Sequence, residues 1–459
     1  MDTTASNKDT ITAISTPPGR GAIGVIRVSG EEALKKTSQI FNGKDLENVK
    51  PRTLNYGTIS KNGRVIDEVV VGVFKAPNSF TGENVAEISC HGSPHILQKV
   101  IELLLAEGVR HADPGEFTMR AFLNGKMDLS QAEAVADLIA SESEASREAA
   151  IQQMRGGFSQ KIRELRNKLL DFSSLIELEL DFSEEDVEFA NRDELYRLLN
   201  DIRSTLQNLI KSFQQGNVIK EGVSVVIAGR PNSGKSTLLN RLLNEERALV
   251  SDIPGTTRDT VEDTINIDGV AFRFVDTAGI HHTEDKIEKM GIERTMSSIH
   301  KAHLVLYLFD VNELDEEELS RDLAMIPEEK SLIIAGNKID EASDESFKDQ
   351  FKADGRNLLF ISSEDGTGTE ELKSKLVEVM QLDERTTDES LVTNIRHYEA
   401  LRKALESVEQ VIQGMDEGQL TDLLTIDIRQ ALHELGQITG EITTDEILGN
   451  IFAKFCIGK

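Results

Sequence analysis

The sequence predicts a multidomain protein. An α+β domain stands at the amino terminus, and an α/β domain of the P-loop, Ras-like type is inserted into an all-α helical domain. Three observations predict this. A glycine loop that fits the phosphate-binding pattern, Gly229–Ser236, lies near the middle of 459 residues. Proline-free helical patterns flank its segment on both sides, and strand patterns dominate the first 120 residues. A chain of this length is expected to form about three domains.

The first domain is expected over residues 1–122. Gly24–Val28 and Glu68–Phe74 are short apolar runs rich in valine, which is typical of strands. Leu97–Glu107 carries the spacing of a helix. We therefore expect a separate α+β domain here.

The helical domain is expected to be discontinuous, over 123–222 and 383–459. All nine prolines lie at or before Pro327, and none falls between Pro114 and Pro231. Apolar residues recur with helical spacing in both blocks, as at Ile162, Leu165, Leu169 and Phe172 and at Leu401, Leu405, Val408 and Ile412. Two independent helical domains remain an alternative. They are less economical, because each block would have to bury its own apolar stripe.

The inserted domain begins with a strand, a glycine loop and a helix. Val223–Ala228 is a buried-strand pattern, the loop matches G-x-x-x-x-G-K-[ST], and a helix pattern continues from Thr237. In this context the backbone N–H groups and the helix terminus face the phosphates of a nucleotide. Lys235 is expected to meet the β- and γ-phosphates, and the Ser236 hydroxyl to hold Mg²⁺.

Three further motifs come after predicted strands and indicate a guanine nucleotide. The carboxylate of Asp276 in Asp276-Thr277-Ala278-Gly279 can hold the water shell of Mg²⁺, and the glycine N–H can meet the γ-phosphate. Asp340, after Asn337-Lys338-Ile339, can accept from both N1–H and the N2 amine of guanine, whereas adenine would leave it unpaired. Ser362-Ser363-Glu364 is placed for backbone contacts to the base. Residues 223–382 are therefore predicted to be a GTPase domain.

Ile280 stands directly after Gly279, where Ras-like enzymes carry a glutamine that orients water, and an apolar side chain cannot do so. Thr257, in the predicted first switch, can complete the Mg²⁺ shell, whereas Arg258 is either an arginine finger or a solvated side chain. With Asn232 in its loop, the domain resembles the TrmE-Era-EngA class, in which this asparagine helps to hold K⁺. The resemblance implies that the K⁺ shell is completed by Ser251, Ile253 and Thr256. Hard oxygen ligands suit an alkali cation.

Composition limits the classes of protein and of binding site that remain possible. The chain carries Cys90 and Cys456 only, which are too few for a disulfide framework and wrongly spaced for a zinc site. No apolar stretch approaches 18 residues and no signal peptide pattern precedes Thr10, so we expect a cytoplasmic protein without a membrane span. The net charge of −29 argues against an extensive phosphate-binding surface, so a basic partner is expected to help in holding any nucleic acid.

Three motifs outside the GTPase domain indicate the family. They are Thr16–Gly24, the run from Phe80 to Glu87 that leads to His91-Gly92, and the chain end Phe455–Lys459. With the potassium-type GTPase pattern, the chain closely resembles the MnmE (TrmE) family of tRNA modification GTPases over essentially its whole length. The terminal pentapeptide is the most specific part.

The resemblance implies a homodimer formed through the amino-terminal domains, with 5,10-methylene- or 5-formyl-tetrahydrofolate as one-carbon donor. It implies the partner MnmG (GidA), an FAD-dependent protein. Together they would install a carboxymethylaminomethyl or aminomethyl group on C5 of the wobble uridine of tRNA, activated by pairing of two GTPase domains. The folate site it implies comprises Arg27, Glu87, Lys126 and Lys459. A carboxylate can pair with pterin N–H groups and cations suit the anionic tail of the folate, although Arg27 and Lys126 also fit ordinary surface charges.

The resemblance also bears on further residues, in the GTPase domain and at the chain end. Glu288 matches the glutamate that orients the attacking water through a second water; the residues alone leave Glu284, Asp285 and Glu293 as alternatives. Cys456 is either catalytic or a packed thiol. Together, the resemblance and the motifs give a GTP-binding set that comprises Asn232, Ser233, Gly234, Lys235, Ser236, Thr237, Ser251, Asp252, Ile253, Pro254, Gly255, Thr256, Thr257, Asp276, Thr277, Ala278, Gly279, Asn337, Lys338, Asp340, Ser362, Ser363 and Glu364.

Two other functions remain as alternatives. A ribosome-assembly GTPase of the same class would call for a basic RNA-binding domain after the GTPase domain, and the acidic helical tail argues against it. A folate-binding scaffold that does not hydrolyse GTP is the second.

Overall fold

The computed structural model describes residues 9–181, 192–247, 263–275, 297–351, 358–380, 391–417 and 421–458. The chain divides into two compact units. Unit 1 comprises Met1–Ile139, Gln153–Leu206 and Glu399–Lys459, and unit 2 comprises Ala140–Gln152 and Gln207–Tyr398. The predicted multidomain architecture, with α+β, helical and P-loop parts, is confirmed.

Unit 1 begins with a seven-stranded sheet in the order β3-β4-β5-β6-β2-β1-β7. Its strands are antiparallel except for the parallel β1–β7 pair. They span β1 Ile11–Ile14, β2 Ile23–Ser29, β3 Phe41–Asn42, β4 Thr53–Lys61, β5 Arg64–Phe74, β6 Val85–His91 and β7 Arg110–His111.

The two faces of this sheet differ. Ile26, Val71 and Ile88 are buried on one face, in a core shared with helices α1 (Ala33–Ile40) and α2 (Pro94–Ala106). On the other face of β4, Leu54 is 78% exposed and Tyr56 is 69% exposed. The alternation in β4 is typical of a sheet that is covered on one side within its own unit.

The chain between the first sheet and the second is mainly helical. Its helices are α3 Glu116–Leu123, α4 Leu129–Ala140, α5 Glu144–Arg155, α6 Gly157–Asp181 and α7 Arg192–Glu221. Near the carboxyl end the helices are α12 Ile395–Asp416, α13 Thr421–Thr439 and α14 Asp445–Phe452. Helices α6 and α13 pack together along buried stripes of apolar residues. The stripe predicted from Ile162 to Phe172 is buried, as the helical spacing requires.

Unit 2 contains a six-stranded sheet in the order β13-β12-β11-β8-β10-β9, parallel except for the antiparallel β9–β10 hairpin. The strands span β8 Val223–Ala228, β9 Asp263–Ile267, β10 Val270–Phe274, β11 Leu304–Asp310, β12 Ser331–Asn337 and β13 Leu358–Phe360. The helices are α8 Lys235–Arg247, α9 Glu316–Leu323, α10 Phe347–Gln350 and α11 Thr369–Val379, with a 3₁₀ turn at Ile339–Glu341.

Apolar residues cover both faces of the central strands, as expected for parallel β-structure. Along β8, Val225 enters one core cluster and Val226 enters the cluster on the opposite face. The carboxyl ends of β8, β11 and β12 lie on one edge, and there the loops that carry the predicted nucleotide motifs begin. Among the described residues, no helix is both long and apolar enough to cross a membrane.

Candidate functional site

The predicted phosphate loop connects β8 to α8 and depends on two glycines. Gly229 has φ +148°, and an added Cβ would lie 2.0 Å from the carbonyl oxygen of Leu308. Gly234 has φ +94°, and its Cβ would lie 2.1 Å from Nδ2 of Asn337. Both positions combine a left-handed backbone with contacts that a side chain would break, so the loop requires glycine there.

Lys235, the first residue of α8, is half-buried inside this loop. Its Nζ donates to the carbonyl oxygens of Gly229 at 2.9 Å and of Arg230 at 2.7 Å. Burial lowers the pKa of this ammonium group, which will therefore gain from an anionic partner. An ammonium has three donors, and the loop carbonyls use two, so the geometry suits a phosphate oxygen as a third partner.

Asn337 joins the phosphate loop to the loop after β13. Its Nδ2 donates to the carbonyl oxygen of Ser233 at 2.8 Å, and its Oδ1 accepts from both the backbone N–H and the hydroxyl of Ser363 at 2.9 Å. All three residues are buried. The two loops that are predicted to bind the phosphates and the base are thus held in one arrangement.

The residues beside Asn337 are those predicted to recognise the base. Lys338 has φ +64° and its Nζ lies 2.8 Å from the buried carboxylate of Asp310. Asp340 stands exposed in the adjoining 3₁₀ turn, where it can accept from a ligand. Arg241 of α8 holds the loop after β13, because its guanidinium donates to the carbonyl oxygens of Ser363 and Glu364.

The other described residues of the predicted GTP site lie in the phosphate loop, in the first turn of α8 and in the loop after β13. Asn232 is exposed at the tip of the phosphate loop with φ +63°, so its amide is accessible from outside the loop. Ser236 and Thr237 lie in the first turn of α8, and Ser362 is buried at the start of the loop after β13, which we call the base loop (Ser362–Glu364). The buried hydroxyl of Ser233 has no hydrogen-bond partner within the part of the chain that the structure describes.

Many of the predicted residues lie outside the described residues. They are Ser251, Asp252, Ile253, Pro254, Gly255, Thr256, Thr257, Arg258, Asp276, Thr277, Ala278, Gly279, Ile280, Glu288 and Lys459.

A second candidate site lies on the first sheet of unit 1. Arg27 of β2 and Glu87 of β6 are direct cross-strand neighbours. Nη2 of Arg27 lies 2.9 Å from Oε1 of Glu87, and its Nε donates to the same oxygen at 3.0 Å. The guanidinium carbon also lies 5.2 Å from the ring centre of Phe80 and 5.6 Å from that of Phe117. Arg27 is therefore fixed on three sides.

Lys126 lies near the loop that carries Phe80. Its Nζ donates to the carbonyl oxygen of Pro77 at 3.0 Å, and the side chain runs beside Gly82. Lys126 thus borders the same loop as the Arg27–Glu87 pair, which sequence position alone did not indicate.

The carboxyl-terminal tail packs against the amino-terminal part of unit 1. The hydroxyl of Ser15 donates to the carbonyl oxygen of Gly458 at 3.2 Å, and the N–H of Gly115 donates to that of Cys456 at 3.5 Å. Gly458 has φ +97°, and an added Cβ would lie 2.3 Å from the carbonyl oxygen of Ile14. Since Ile14 pairs with Ile26, the tail ends next to the strand that carries Arg27.

The two thiols have opposite environments. Cys90 faces the core of the first sheet, and burial raises its pKa to about 12. Cys456 is exposed. Cys90 is therefore an inert packed thiol, and Cys456 is the one that solvent can reach.

Sequence reasoning missed Arg230 and Arg241. Arg230 lies in the phosphate loop, and its guanidinium contacts Asp322 and Glu318 of α9. The acidic residues from Asp315 to Asp322 are compatible with a cationic partner, but the sequence does not indicate which arginine or lysine they contact.

Two family models match the chain. One described as the MnmE helical domain matches residues 129–456, and one described as the GTP-binding protein TrmE N-terminus matches residues 10–126.

Curated relatives named tRNA modification GTPase MnmE are similar over their whole length. The protein of Cytophaga hutchinsonii is 54% identical over 458 residues, which cover 100% of this chain and 99% of its own. Those of Flavobacterium johnsoniae and Bacteroides thetaiotaomicron are 53% and 52% identical, over 99% of this chain and 100% of theirs. A crystal structure of Aquifex aeolicus Era bound to GDP and AlF₄⁻ is 27% identical over 40% of this chain and 66% of that one, with a TM-score of 0.28.

Proposed function

This chain belongs to the MnmE family of tRNA modification GTPases, and we propose that it binds and hydrolyses GTP at the loops around Gly229–Ser236 to support modification of tRNA. The observation that carries the site assignment is the buried amide of Asn337, which ties the phosphate loop to the base loop by three hydrogen bonds. Such a prearranged pair of loops suits one ligand with a polyphosphate at one end and a base at the other.

In this proposal different residues of the site contact different parts of the nucleotide. Lys235 meets the β- and γ-phosphates, and Ser236, whose hydroxyl lies in the first turn of α8, holds Mg²⁺ together with Thr257. Asp340 accepts from the guanine N1–H and N2 amine, and the Ser362–Glu364 backbone meets its O6. The half-buried ammonium of Lys235 and the exposed carboxylate of Asp340 support these roles.

We propose that hydrolysis depends on K⁺ and on pairing of two GTPase domains. The exposed amide of Asn232 is available to an ion outside the loop, as a K⁺ ligand must be. Ser251, Ile253 and Thr256 would complete the shell, and Glu288 would orient the attacking water. K⁺ supplies positive charge at the transition state, where Ile280 cannot replace the glutamine of Ras-like enzymes.

We propose that unit 1 binds a tetrahydrofolate one-carbon donor near Arg27, Glu87 and Lys126. The fixed Arg27–Glu87 pair supports this site, because Oε2 of Glu87 can still accept from a pterin while Oε1 is held by Arg27. The tail next to β1 brings Cys456 and the segment that leads to Lys459 to the same part of unit 1.

The family and two surface properties support the proposed partners. Leu54 and Tyr56, which are exposed on one face of β4, support a homodimer through the amino-terminal domain, since neighbouring exposed apolar side chains are suited to a protein–protein contact. The net charge of −29 supports sharing of tRNA with a second protein, which we propose to be the FAD-dependent MnmG, in the cytoplasm. We propose domain limits of 1–122, 123–222 with 383–459, and 223–382.

The proposed modification is tested by nucleoside analysis of tRNA. In cells that lack this protein we expect loss of the carboxymethylaminomethyl or aminomethyl group at C5 of the wobble uridine. The wild-type chain should restore it, and Lys235→Ala, which removes the phosphate-binding ammonium, should not. An unchanged nucleoside profile in the deletion strain would rule out this function.

The one-carbon site is tested separately by titration with 5-formyltetrahydrofolate. Saturable binding is expected, with about tenfold weaker affinity in Glu87→Ala because one charge-assisted acceptor is lost. Glu102→Ala is the matched control, since Glu102 is a partly exposed carboxylate on α2 that pairs with Lys99 of the same helix. Equal affinities of Glu87→Ala and the wild type would remove Glu87 from the site.

A further inference from the structure

Arg230 lies inside the phosphate loop, yet its side chain points away from Lys235 and onto helix α9. Nε donates to Oδ2 of Asp322 at 2.7 Å, and Nη2 donates to Oδ1 of the same carboxylate at 3.2 Å. Nη1 donates to Oε1 of Glu318 at 3.1 Å. One guanidinium thus makes a two-point contact with one carboxylate and a third bond to another, a geometry that lysine cannot reproduce.

The carboxylates that receive Arg230 are themselves fixed. The phenol of Tyr307, on buried strand β11, donates to Oδ2 of Asp322 at 2.6 Å. Burial alone would raise the pKa of Asp322, but hydrogen bonds from Arg230 and Tyr307 hold it below its usual value, so this group is ionised at neutral pH. Glu318 belongs to the capping box of α9, in which its N–H donates to Asp315 at 2.8 Å.

The backbone carbonyl of Arg230 contacts Lys235 and not α9. Its carbonyl oxygen accepts from Nζ of Lys235 at 2.7 Å. The same residue therefore connects the fixed carboxylates of α9 to the ammonium that is proposed to bind phosphate. Because the contacts to α9 hold one end of the residue, they restrain the backbone from which the carbonyl projects toward Lys235.

We propose that Arg230 is a positioning residue of the GTP site. Its contacts with Asp322 and Glu318, together with the bond from Tyr307 to Asp322, form a clamp that keeps the phosphate loop and Lys235 in position. The inference rests on the proposed assignment of the phosphate site. It predicts that the clamp affects binding of the nucleotide phosphates in the full chain without contacting them.

The test compares Arg230→Ala, Asp322→Asn and the double variant with Arg321→Ala in the full-length protein. Arg321 is the matched control, because it lies beside Asp322 on α9 but is 72% exposed and pairs with Glu317, which is 88% exposed. The readouts are the KM and kcat of GTP hydrolysis, GDP affinity by competition, and the melting temperature.

We expect Arg230→Ala to raise the KM for GTP about tenfold and to lower the affinity for GDP about tenfold, because a charge-assisted contact is lost. The kcat should change by less than about threefold. Asp322→Asn, which keeps an acceptor but loses the charge, should give a smaller effect in the same direction. The double variant should be no worse than Arg230→Ala, because both remove the same clamp. Arg321→Ala should match the wild type.

The outcomes separate the clamp from the site itself. If Lys235→Ala binds GTP as tightly as the wild type, the phosphate-site assignment fails. If Lys235→Ala loses binding while Arg230→Ala keeps its KM within twofold, only the clamp is overturned. Should Arg230→Ala fail to fold, Asp322→Asn decides: a native melting temperature with an unchanged KM overturns the clamp, and a raised KM supports it.

Discussion

The most demanding prediction concerns Asn337→Ala. The substitution removes the amide that holds the two nucleotide loops together. It would leave the backbone N–H of Ser363 and the carbonyl oxygen of Ser233 without their partners, while the Ser363 hydroxyl can rotate to another acceptor. Ser233, Asn337 and Ser363 are 2%, 1% and 3% exposed, so water cannot replace the amide without opening the loops.

The expected magnitude follows from these two groups. A buried polar group that loses its partner costs about 1–3 kcal/mol, so two such groups cost about 2–6 kcal/mol. In a domain of about 150–250 residues, each kcal/mol lowers the melting temperature by about 2–4 °C. We therefore expect the unfolding transition of unit 2 to fall by at least about 4 °C.

The assay is calorimetry of the full chain combined with hydrogen exchange at the Ser363 amide. Exchange at Ser363 should accelerate even if the calorimetric transitions of the two units overlap. Asn312→Ala is the control, because this exposed asparagine donates to Asp310 and to the carbonyl of Lys338, both at 3.1 Å, close to the same site. Its cost should stay below about 0.5 kcal/mol. A melting temperature within about 1 °C of wild type, with unchanged exchange at Ser363, would refute the reasoning.

Three further predictions concern single side chains. Glu288→Ala should bind GTP normally but lose turnover, measured by phosphate release; near-normal hydrolysis removes Glu288 from catalysis. At pH 8, iodoacetamide should label exposed Cys456 and spare Cys90 until guanidinium unfolds the chain, as peptide mass spectrometry can check. Burial lowers the pKa of His303 below 6.5, so the unfolded state binds more protons than the folded state at acid pH. The free energy of unfolding should therefore fall as the pH drops below 6.5. His303→Gln should weaken this pH dependence, measured by urea titrations from pH 7 to 5.

Local motifs were sufficient to predict the strand, glycine loop and helix around Gly229–Ser236. The strand Val223–Ala228 lies where the sequence predicts it, and α8 begins at Lys235, immediately after the last glycine of the loop. These elements follow from short patterns, because a glycine loop between a buried strand and a helix has few alternative structures.

The tertiary contacts could not be predicted in the same way. Residues 140–152 are grouped with the GTPase sheet, where the N–H of Ala145 donates to the carbonyl oxygen of Gly269 at 3.1 Å and Asn266 donates to that of Glu142 at 3.2 Å. Helical periodicity shows which face of a helix is buried but not what covers it. The contact between Arg230 and Asp322, 92 residues apart, escaped prediction for the same reason.

Rates of GTP turnover in KCl and NaCl at equal ionic strength test the central claim most directly. K⁺ bound near Asn232 is proposed to supply the positive charge that an arginine finger would otherwise provide. We predict that phosphate release from the full chain is at least about tenfold faster in KCl, and that Asn232→Ala removes most of this difference. Equal rates of the wild type in the two salts would contradict the account.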